Sequence, residues 1–448
     1  MNAPNHDTDI AVVGAGAAGL AAAIFAAQCR PDRRVVLLDG ATRIGAKILV
    51  SGGGRCNVTH ARVAPIDFNA PARVVGQIIQ RFDEQAASRW FESLGVSLKH
   101  ESTGKIFPTT DTARTVLGAL MRRCDQLRVP IMNGHRVHEV HRTPSGYAIH
   151  HQGGEITATR VIMATGGRSL PKTGSDGQGW SIVERLGHRV TPTYPALVPL
   201  VLAETFFHRG LSGISHQATL TTRVNEKTVD CRTGDLLWTH FGISGPVVMD
   251  ASRFWVIAHA ENQNPSMSIG FFPGQPFHEV DRWLSQATDQ PGRRTIVATL
   301  AQRLPQRVAR ALCAYLQHSD RAAPNPPPGA SPPGDFAATA MNQLSRAQRR
   351  ALVHALTCLA LPVVRMRGWN YAEVTAGGVP LGEIFSHSMG SRNVPGLYLI
   401  GEMLDCDGRI GGFNFQWAWS TGYLAGCAAA QSLDHGDLKG DCDAPVAP

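Results

Sequence analysis

The chain has 448 residues, a formal net charge of +8 and nine cysteines. That length supports two or three domains with substantial cores. No apolar window approaches the about 18 residues of a membrane helix, and the opening MNAPNHDTD has no basic or apolar leader region, so neither a membrane span nor a signal peptide is expected.

The cysteines are scattered and never spaced C-x-x-C. This argues against a disulfide scaffold, a structural zinc site and a dithiol reductase, and suits a reducing cytoplasm. The charge is concentrated. Positions 282–354 hold ten Arg, no Lys, three Asp and no Glu. Two readings stand, a solvated arginine-rich helical surface or a face for an anionic partner such as nucleic acid.

In chain order, the first element is a β-α-β unit over 9–39. An apolar run (IAVV) ends in Gly14-Ala15-Gly16-Ala17-Ala18-Gly19, an alanine-rich helix follows, and a second run (VVLL) ends on Asp39. This is the dinucleotide fingerprint. Gly14 turns the chain sharply, Gly16 lets a pyrophosphate approach the backbone, and Gly19 lets helix and strand pack closely. The helix N-terminus offers free N–H groups to the phosphates. Asp39 is placed to accept hydrogen bonds from a ribose. The fingerprint alone does not separate NAD from FAD.

Next comes ATRIGAKILVSGGGRCNVTH, with Gly45, Lys47, Ser51, Gly52, Gly53, Gly54, Arg55, Cys56 and Asn57. Three consecutive glycines exclude a regular element interior. The loop is either a plain surface turn or a second backbone cradle, with Lys47 and Arg55 adding positive charge beside the pyrophosphate. Helical periodicity runs over 72–94 and again over 111–127, capped by Asp111 or Thr112. Residues 136–160 read as a β-meander that includes Val137. A buried strand, RVIM, then runs into Ala164-Thr165-Gly166-Gly167.

From about 191 short β-like runs alternate with turns, and 237–246 (LWTHFGISGP) precedes a helix at 247–252. Segments 277–318 and 341–359 are helical. Between them 324–334 holds too much proline for a helix or central strand and reads as an extended or disordered loop. A last strand at 396–401 leads through Gly401, Glu402 and Asp405 to Gly411 and Gly412. A helix over 413–430 then begins at Phe413-Asn414-Phe415.

A strand running into ATGG is typical of FAD-binding folds of the glutathione-reductase type, and a β-meander before it fits FAD better than a simple NAD dehydrogenase. These pieces therefore assign 1–190 to the first part of an FAD domain, 191–275 with 360–375 to an inserted β domain, and 276–359 to a helical insert. Residues 376–432 form the second part of the FAD domain, and 433–448 a disordered tail. The fold class is α/β, a glutathione-reductase-type FAD-binding Rossmann domain interrupted by a β domain with a helical insert.

GAGAAGLAAA, GAKILVSGGGRCNVTH, ATGG, THFGISGP, AEVTAGGV and GLYLIGEMLDCDGRIGGFNFQWAWSTG span nearly the whole chain. As a set they resemble bacterial flavoproteins described as aminoacetone-oxidase-like or NAD(P)/FAD-dependent oxidoreductases. That family includes a bile-acid enone reductase and a ribosomal RNA dihydrouridine synthase. The resemblance implies that the inserted β domain is β-barrel-like, and it implies FAD contacts at Gly14, Gly16, Gly19, Asp39, Lys47, Ser51, Gly52, Arg55, Val137, Thr165, Gly166, Gly401, Asp405, Gly412, Asn414 and Phe415. Phe413 and Phe415 stand where the family pattern suggests Tyr and Leu.

The expected chemistry belongs to the flavin. NAD(P)H, a transient reductant because no second GxGxxG is present, gives hydride to N5, and an activated C=C bond of a small molecule receives it. His240 is the first candidate proton donor, or else a loop histidine holding backbone. Cys56 is a second candidate, or else a packed inert thiol; Tyr194 and Glu402 carry no distinguishing feature. Alternative functions are ribosomal RNA uridine reduction through the arginine-rich insert, amine oxidation with O₂, and a non-catalytic flavin-bound sensor or RNA-binding factor.

Overall fold

The computed structural model describes residues 7–289, 294–321 and 335–433. The proline-rich segment 324–334 and the tail beyond residue 433 lie outside these. The chain divides into one unit of residues 1–195 with 369–448 and another of residues 196–368.

The first unit is built on strand β1 (Thr8–Val13), helix α1 (Ala17–Cys29) and strand β2 (Val35–Asp39). β1 pairs in parallel with β2 and with the long strand Gly154–Met163. Ile131–Asn133 extends the sheet beyond β2, and Leu397–Leu399 pairs in parallel with the end of Gly154–Met163. The strands Val137–Thr143 and Gly146–His151 form an antiparallel meander on the same long strand. The runs are apolar because both sheet faces are covered; Ile10, Val12, Leu37 and Ile162 are fully buried.

α1 is buried almost throughout, which its alanines permit. It packs against the C-terminal helix Phe413–Gln431 with no room for side chains at Gly422 and Gly426. The two ends of the sequence are thereby joined in one core. Where periodicity suggests one helix over 72–94, two form, Ala72–Ile79 and Glu84–Ser93. The break falls at Asp83, whose carboxylate accepts the Ala86 N–H at 2.7 Å as an N-cap. Thr112, rather than Asp111, caps Ala113–Gln126.

The returning segment is tied down by Glu383. It faces the buried imidazole of His188 (Nδ1 at 2.8 Å) and accepts from Arg189 Nε at 3.0 Å, while His188 Nε2 lies 2.8 Å from Ser391 Oγ. Burial pushes the Glu383 carboxyl up, but the hydrogen bonds from Arg189 and His188 outweigh it and hold it below its usual range. A depressed folded-state value means a contribution present above the unfolded value, about 4.3, and lost as pH falls through the folded one. Glu383→Gln is therefore expected to lower stability at neutral pH and to flatten the decline below about pH 4.3. Denaturant titrations at both pH values measure this, and parallel curves for the two proteins would contradict it.

The second unit holds an antiparallel sheet. Its order is Leu359–Leu361, Pro265–Gly270, Ser215–Val224, Lys227–Thr239, Gly242–Ser244, Leu200–Leu202, Val363–Met366. The outermost strands are consecutive in the chain, separated by Pro362 alone. The sheet therefore curls until its edges meet there, and proline sits where no ladder donor is required. Pro246–Ala260, longer than the helix expected from sequence, packs on the sheet. The helices Phe277–Asp289, Ile296–Leu300, Gln306–Arg321 and Arg346–Cys358 occupy the arginine-rich stretch. Among the described residues no helix is long and apolar enough to cross a membrane.

Candidate functional site

The glycines of the first turn have separate geometric duties. Gly14 has φ +107°, and a Cβ there would lie 2.5 Å from Ala164 O. A Cβ at Gly19 would run into the Gly14 carbonyl oxygen, so only glycine lets α1 start against β1. At Gly16 an added Cβ meets nothing within 4 Å. This is the face left open to a ligand. Ala15 is buried, and Ala17 and Ala18 begin the helix. α1 has no side-chain cap and no acid in its first turn, so its N–H groups await an anion.

Asp39 faces this turn. Its carboxylate accepts the Ala15 N–H at 2.6 Å and the Ala41 N–H at 2.7 Å. The acid thus fixes the turn as well as ending the strand, and each oxygen keeps lone-pair capacity for a hydroxyl.

A cleft opens here, lined by 13–16, 38–41, 44–48, 135–137, 164–166 and 173–176, with Gln178, Gly179 and Ile182. Val137 contributes a largely buried side chain, and Arg136 on the rim donates to Gln178 Oε1 at 2.6 Å and pairs with Asp176. Two hydroxyls, Thr165 Oγ1 and Ser175 Oγ, are buried without a hydrogen-bond partner. Orphaned buried hydroxyls are costly. A dinucleotide with its phosphates at Gly16 and its adenosine half in this cleft fits the residues present.

Lys47 lines the same cleft, but its ammonium pairs with Glu402 and donates to Ser169 Oγ at 2.8 Å. Glu402 Oε1 also accepts from Ser169 Oγ (2.7 Å), Thr375 N (3.0 Å) and Thr375 Oγ1 (2.9 Å). Gly167 is small because a Cβ there would stand 2.7 Å from that carboxylate. Gly45, at φ +73°, turns the chain into the short helix carrying Lys47.

In the second glycine loop Gly52, Gly53 and Gly54 have φ of +54°, +69° and +86°. The Ser51 hydroxyl donates to Ile48 O at 2.7 Å. Arg55 does not face the cleft. It pairs with Glu101 at 2.7 Å and lies 4.0 Å over the Phe107 ring. Both cations that sequence placed at the phosphates therefore have carboxylate partners, and the free positive end at the turn is backbone. Cys56 is fully buried at φ +60°, and burial pushes its thiol up to about 12. That environment disfavours the thiolate a redox role would use.

Asn57 is 7% exposed, and its Oδ1 has no hydrogen-bond partner. A Cβ at Gly412 would lie 2.9 Å from that oxygen. Gly411 and Gly412, at φ +130° and +97°, lead into the last helix, which has no side-chain cap and no acid in its first turn. An uncapped helix end and a buried unpaired amide oxygen therefore share one place. Such a pair suits the pyrimidine edge of a flavin, which offers both an N–H donor and carbonyl acceptors.

Asn414 holds the approach loop, accepting the Gly408 N–H at 2.8 Å and donating to Gly408 O at 2.9 Å. Phe413 stacks on His60 at 4.8 Å and Phe415 on Trp419 at 5.5 Å. Gly401 is fixed by Thr421 Oγ1, which accepts its N–H, and by Trp417 Nε1, which donates to its carbonyl, both at 3.1 Å. Asp405 accepts from Thr191 Oγ1 at 3.0 Å. His240 belongs to the other unit. It is exposed, in the turn between Lys227–Thr239 and Gly242–Ser244, edge-on to Phe241 at 5.2 Å.

Sequence reasoning missed Ser169, Ser175 and Thr375. Thr375 stands in AEVTAGGV, a motif given no chemical role. A threonine before paired glycines on a returning strand is the signal that could have found it.

The model of the HI0933-like protein Rossmann domain matches residues 8–428. The chain is similar to a 3-dehydro-bile acid delta(4,6)-reductase of Clostridium scindens, 32% identical over 423 residues, 94% of this chain and 99% of that protein. It is also similar to a ribosomal RNA dihydrouridine synthase of Escherichia coli, 30% identical over 95% of this chain and 98% of that protein. The Haemophilus influenzae protein of the same description is likewise 30% identical, over 94% and 98%. Among solved structures, a point variant of E. coli quinol fumarate reductase FrdA superposes with a TM-score of 0.51 at 16% identity, covering 97% of this chain and 72% of that one.

Proposed function

We propose that the chain, which belongs to the family of the HI0933-like Rossmann domain, is an FAD-dependent oxidoreductase that reduces a carbon–carbon double bond conjugated to a carbonyl. Bound FAD would supply the chemistry, hydride transfer through N5 from NAD(P)H to the β-carbon of the acceptor.

Support comes from what the relatives' names share. A delta(4,6)-reductase of a 3-dehydro steroid and an enzyme that makes dihydrouridine both saturate a C=C bond conjugated to C=O. In either case the polarised carbonyl carries the developing negative charge, and a proton is delivered to the α-carbon. In this reading the Gly14–Gly19 turn and Asp39 hold the adenosine diphosphate half. Asn57 and the N-terminus at Phe413 hold the pyrimidine edge, where negative charge on the reduced ring is stabilised by the helix end. The observation that carries most weight is Asn57 Oδ1, buried and unpaired at that end.

His240 is our candidate proton donor. His240→Ala is expected to leave bound FAD unchanged and to lower turnover about 100-fold, the low end for a general acid. Unchanged turnover would remove it.

A second acceptor, uridine in ribosomal RNA, is favoured by two relatives and by one feature of the insert. Arg303 stacks on Trp283 at 4.4 Å and Arg349 pairs with Asp281 at 2.9 Å, whereas Arg282, Arg294, Arg310, Arg346 and Arg350 are exposed. One experiment separates the acceptors. The flavin is bleached anaerobically with NADH or NADPH, then a 3-oxo-Δ4,6-steroid or a ribosomal RNA fragment is added. Colour restored by the steroid supports the small-molecule reading; colour restored by RNA alone, with salt-sensitive binding, supports the second. Bleaching by neither nicotinamide, with peroxide released from an amine, would overturn both.

A further inference from the structure

α1 and the last helix touch backbone to backbone. A Cβ at Gly422 would lie 2.8 Å from Ala18 O, and one at Gly426 would run into Ala22 O. The contacts advance in step along both chains, so the helices run parallel. Packing on glycine brings helices closer than the usual about 8–10 Å.

One column of side chains follows this contact. The Tyr423 ring meets Phe25 edge-on at 5.0 Å. One turn further along each helix, at i+4, stand Cys427 and Cys29. Their side chains are hydrogen-bonded to each other. Cys427 is 4% exposed, while Cys29, the last residue of α1, is half-buried and reaches the surface.

We propose that Cys29 and Cys427 are a peroxide-sensitive pair that closes into a reversible disulfide between the first and last helices. The oxidant is a hydroperoxide. The Cys29 thiolate attacks its O–O bond and becomes a sulfenic acid, and the other oxygen leaves as water or alcohol. Cys427 sulfur then attacks the sulfenic sulfur. The S–S bond forms as the S–O bond breaks, and the hydroxyl leaves with the Cys427 proton as water. Two thiols and one peroxide give one disulfide, and an external dithiol reverses it.

The roles follow from the surroundings. The hydrogen bond from Cys427 holds the Cys29 thiol below its usual range despite partial burial, and the thiolate is the attacking form. The same bond, with burial, keeps Cys427 protonated until it resolves the intermediate. Cys56, Cys124 and Cys313 are buried with thiols pushed up to about 12 and are not expected to compete. Cys231 is exposed and is the internal control.

The test uses full-length reduced protein, stoichiometric hydrogen peroxide, alkylation and peptide mapping. The expected result is a peptide linking Cys29 to Cys427, loss of two thiols per chain reversed by dithiothreitol, and a Tm higher by about 5 °C. Cys231→Ser keeps the cross-link. Cys427→Ser loses it and leaves Cys29 trapped by dimedone. Independently of any variant, Cys29 alkylates faster than Cys427 in the native protein. No cross-link in the unmodified sequence, or Cys29 reacting no faster than Cys427, overturns the proposal.

Discussion

Gly19→Val is expected to yield protein without FAD. The new side chain would run into the Gly14 carbonyl, and its first carbon would also stand 3.2 Å from Ala164 Cβ. Helix α1 cannot back away, because its other face is packed on the last helix with no room to spare at Gly422 and Gly426. Overpacking of this kind costs about 1–3 kcal/mol or more, and here the strain falls on the turn that receives the phosphates. Gly16→Ala is the control that separates fold from cofactor. A Cβ there meets no protein atom within 4 Å, so stability should hold. FAD affinity should still fall at least about tenfold, because the methyl occupies the phosphate's approach. Thermal unfolding and flavin titration of both variants measure this. Gly16→Ala with unaltered FAD affinity would contradict the placement of the phosphates.

Lys47→Met should be the most damaging single change to a side-chain contact. Glu402 is 18% exposed and would be left with only Ser169 and Thr375 as partners. Breaking a fully buried pair costs about 3–5 kcal/mol; with Lys47 26% exposed, solvent screening reduces the expected loss to about 2 kcal/mol. The cost lies in an uncompensated carboxylate, so Lys47→Met combined with Glu402→Gln should recover most of it. A double-mutant cycle by denaturant unfolding gives the coupling. A double variant as unstable as the sum of the single changes would show that the two side chains act separately.

The parts legible in the sequence were those whose physics is local. The glycine turn, the acid at the end of β2, the strand before Ala164 and the alanine-rich last helix each announce themselves within about a dozen residues. Gly14 and Gly19 stand as read, with Gly16 open to a ligand. What stayed hidden depends on contacts between distant positions. Lys47 meets Glu402 across 355 positions, and Thr59 donates to Gln416 across 357. No spacing rule reports such pairs. Arg55 looked like a phosphate ligand because it follows three glycines, yet Glu101 and Phe107 take its guanidinium. The break near Asp83 was missed for a different reason. Apolar periodicity continues through it, and only the capping chemistry of an aspartate marks the restart. Gly422 and Gly426 read as blemishes in a helix until α1 is seen against them.

The account rests on one FAD held between the turn at Gly14–Gly19 and the helix end at Gly412–Phe413. The most direct measurement is the flavin content of natively purified protein, followed by FAD titration of the stripped chain and of Asn57→Ala. The prediction is one flavin per chain, released on denaturation, with Asn57→Ala shifting the flavin's reduction potential as well as its affinity. Protein that is colourless when purified and takes up no FAD on titration would contradict it.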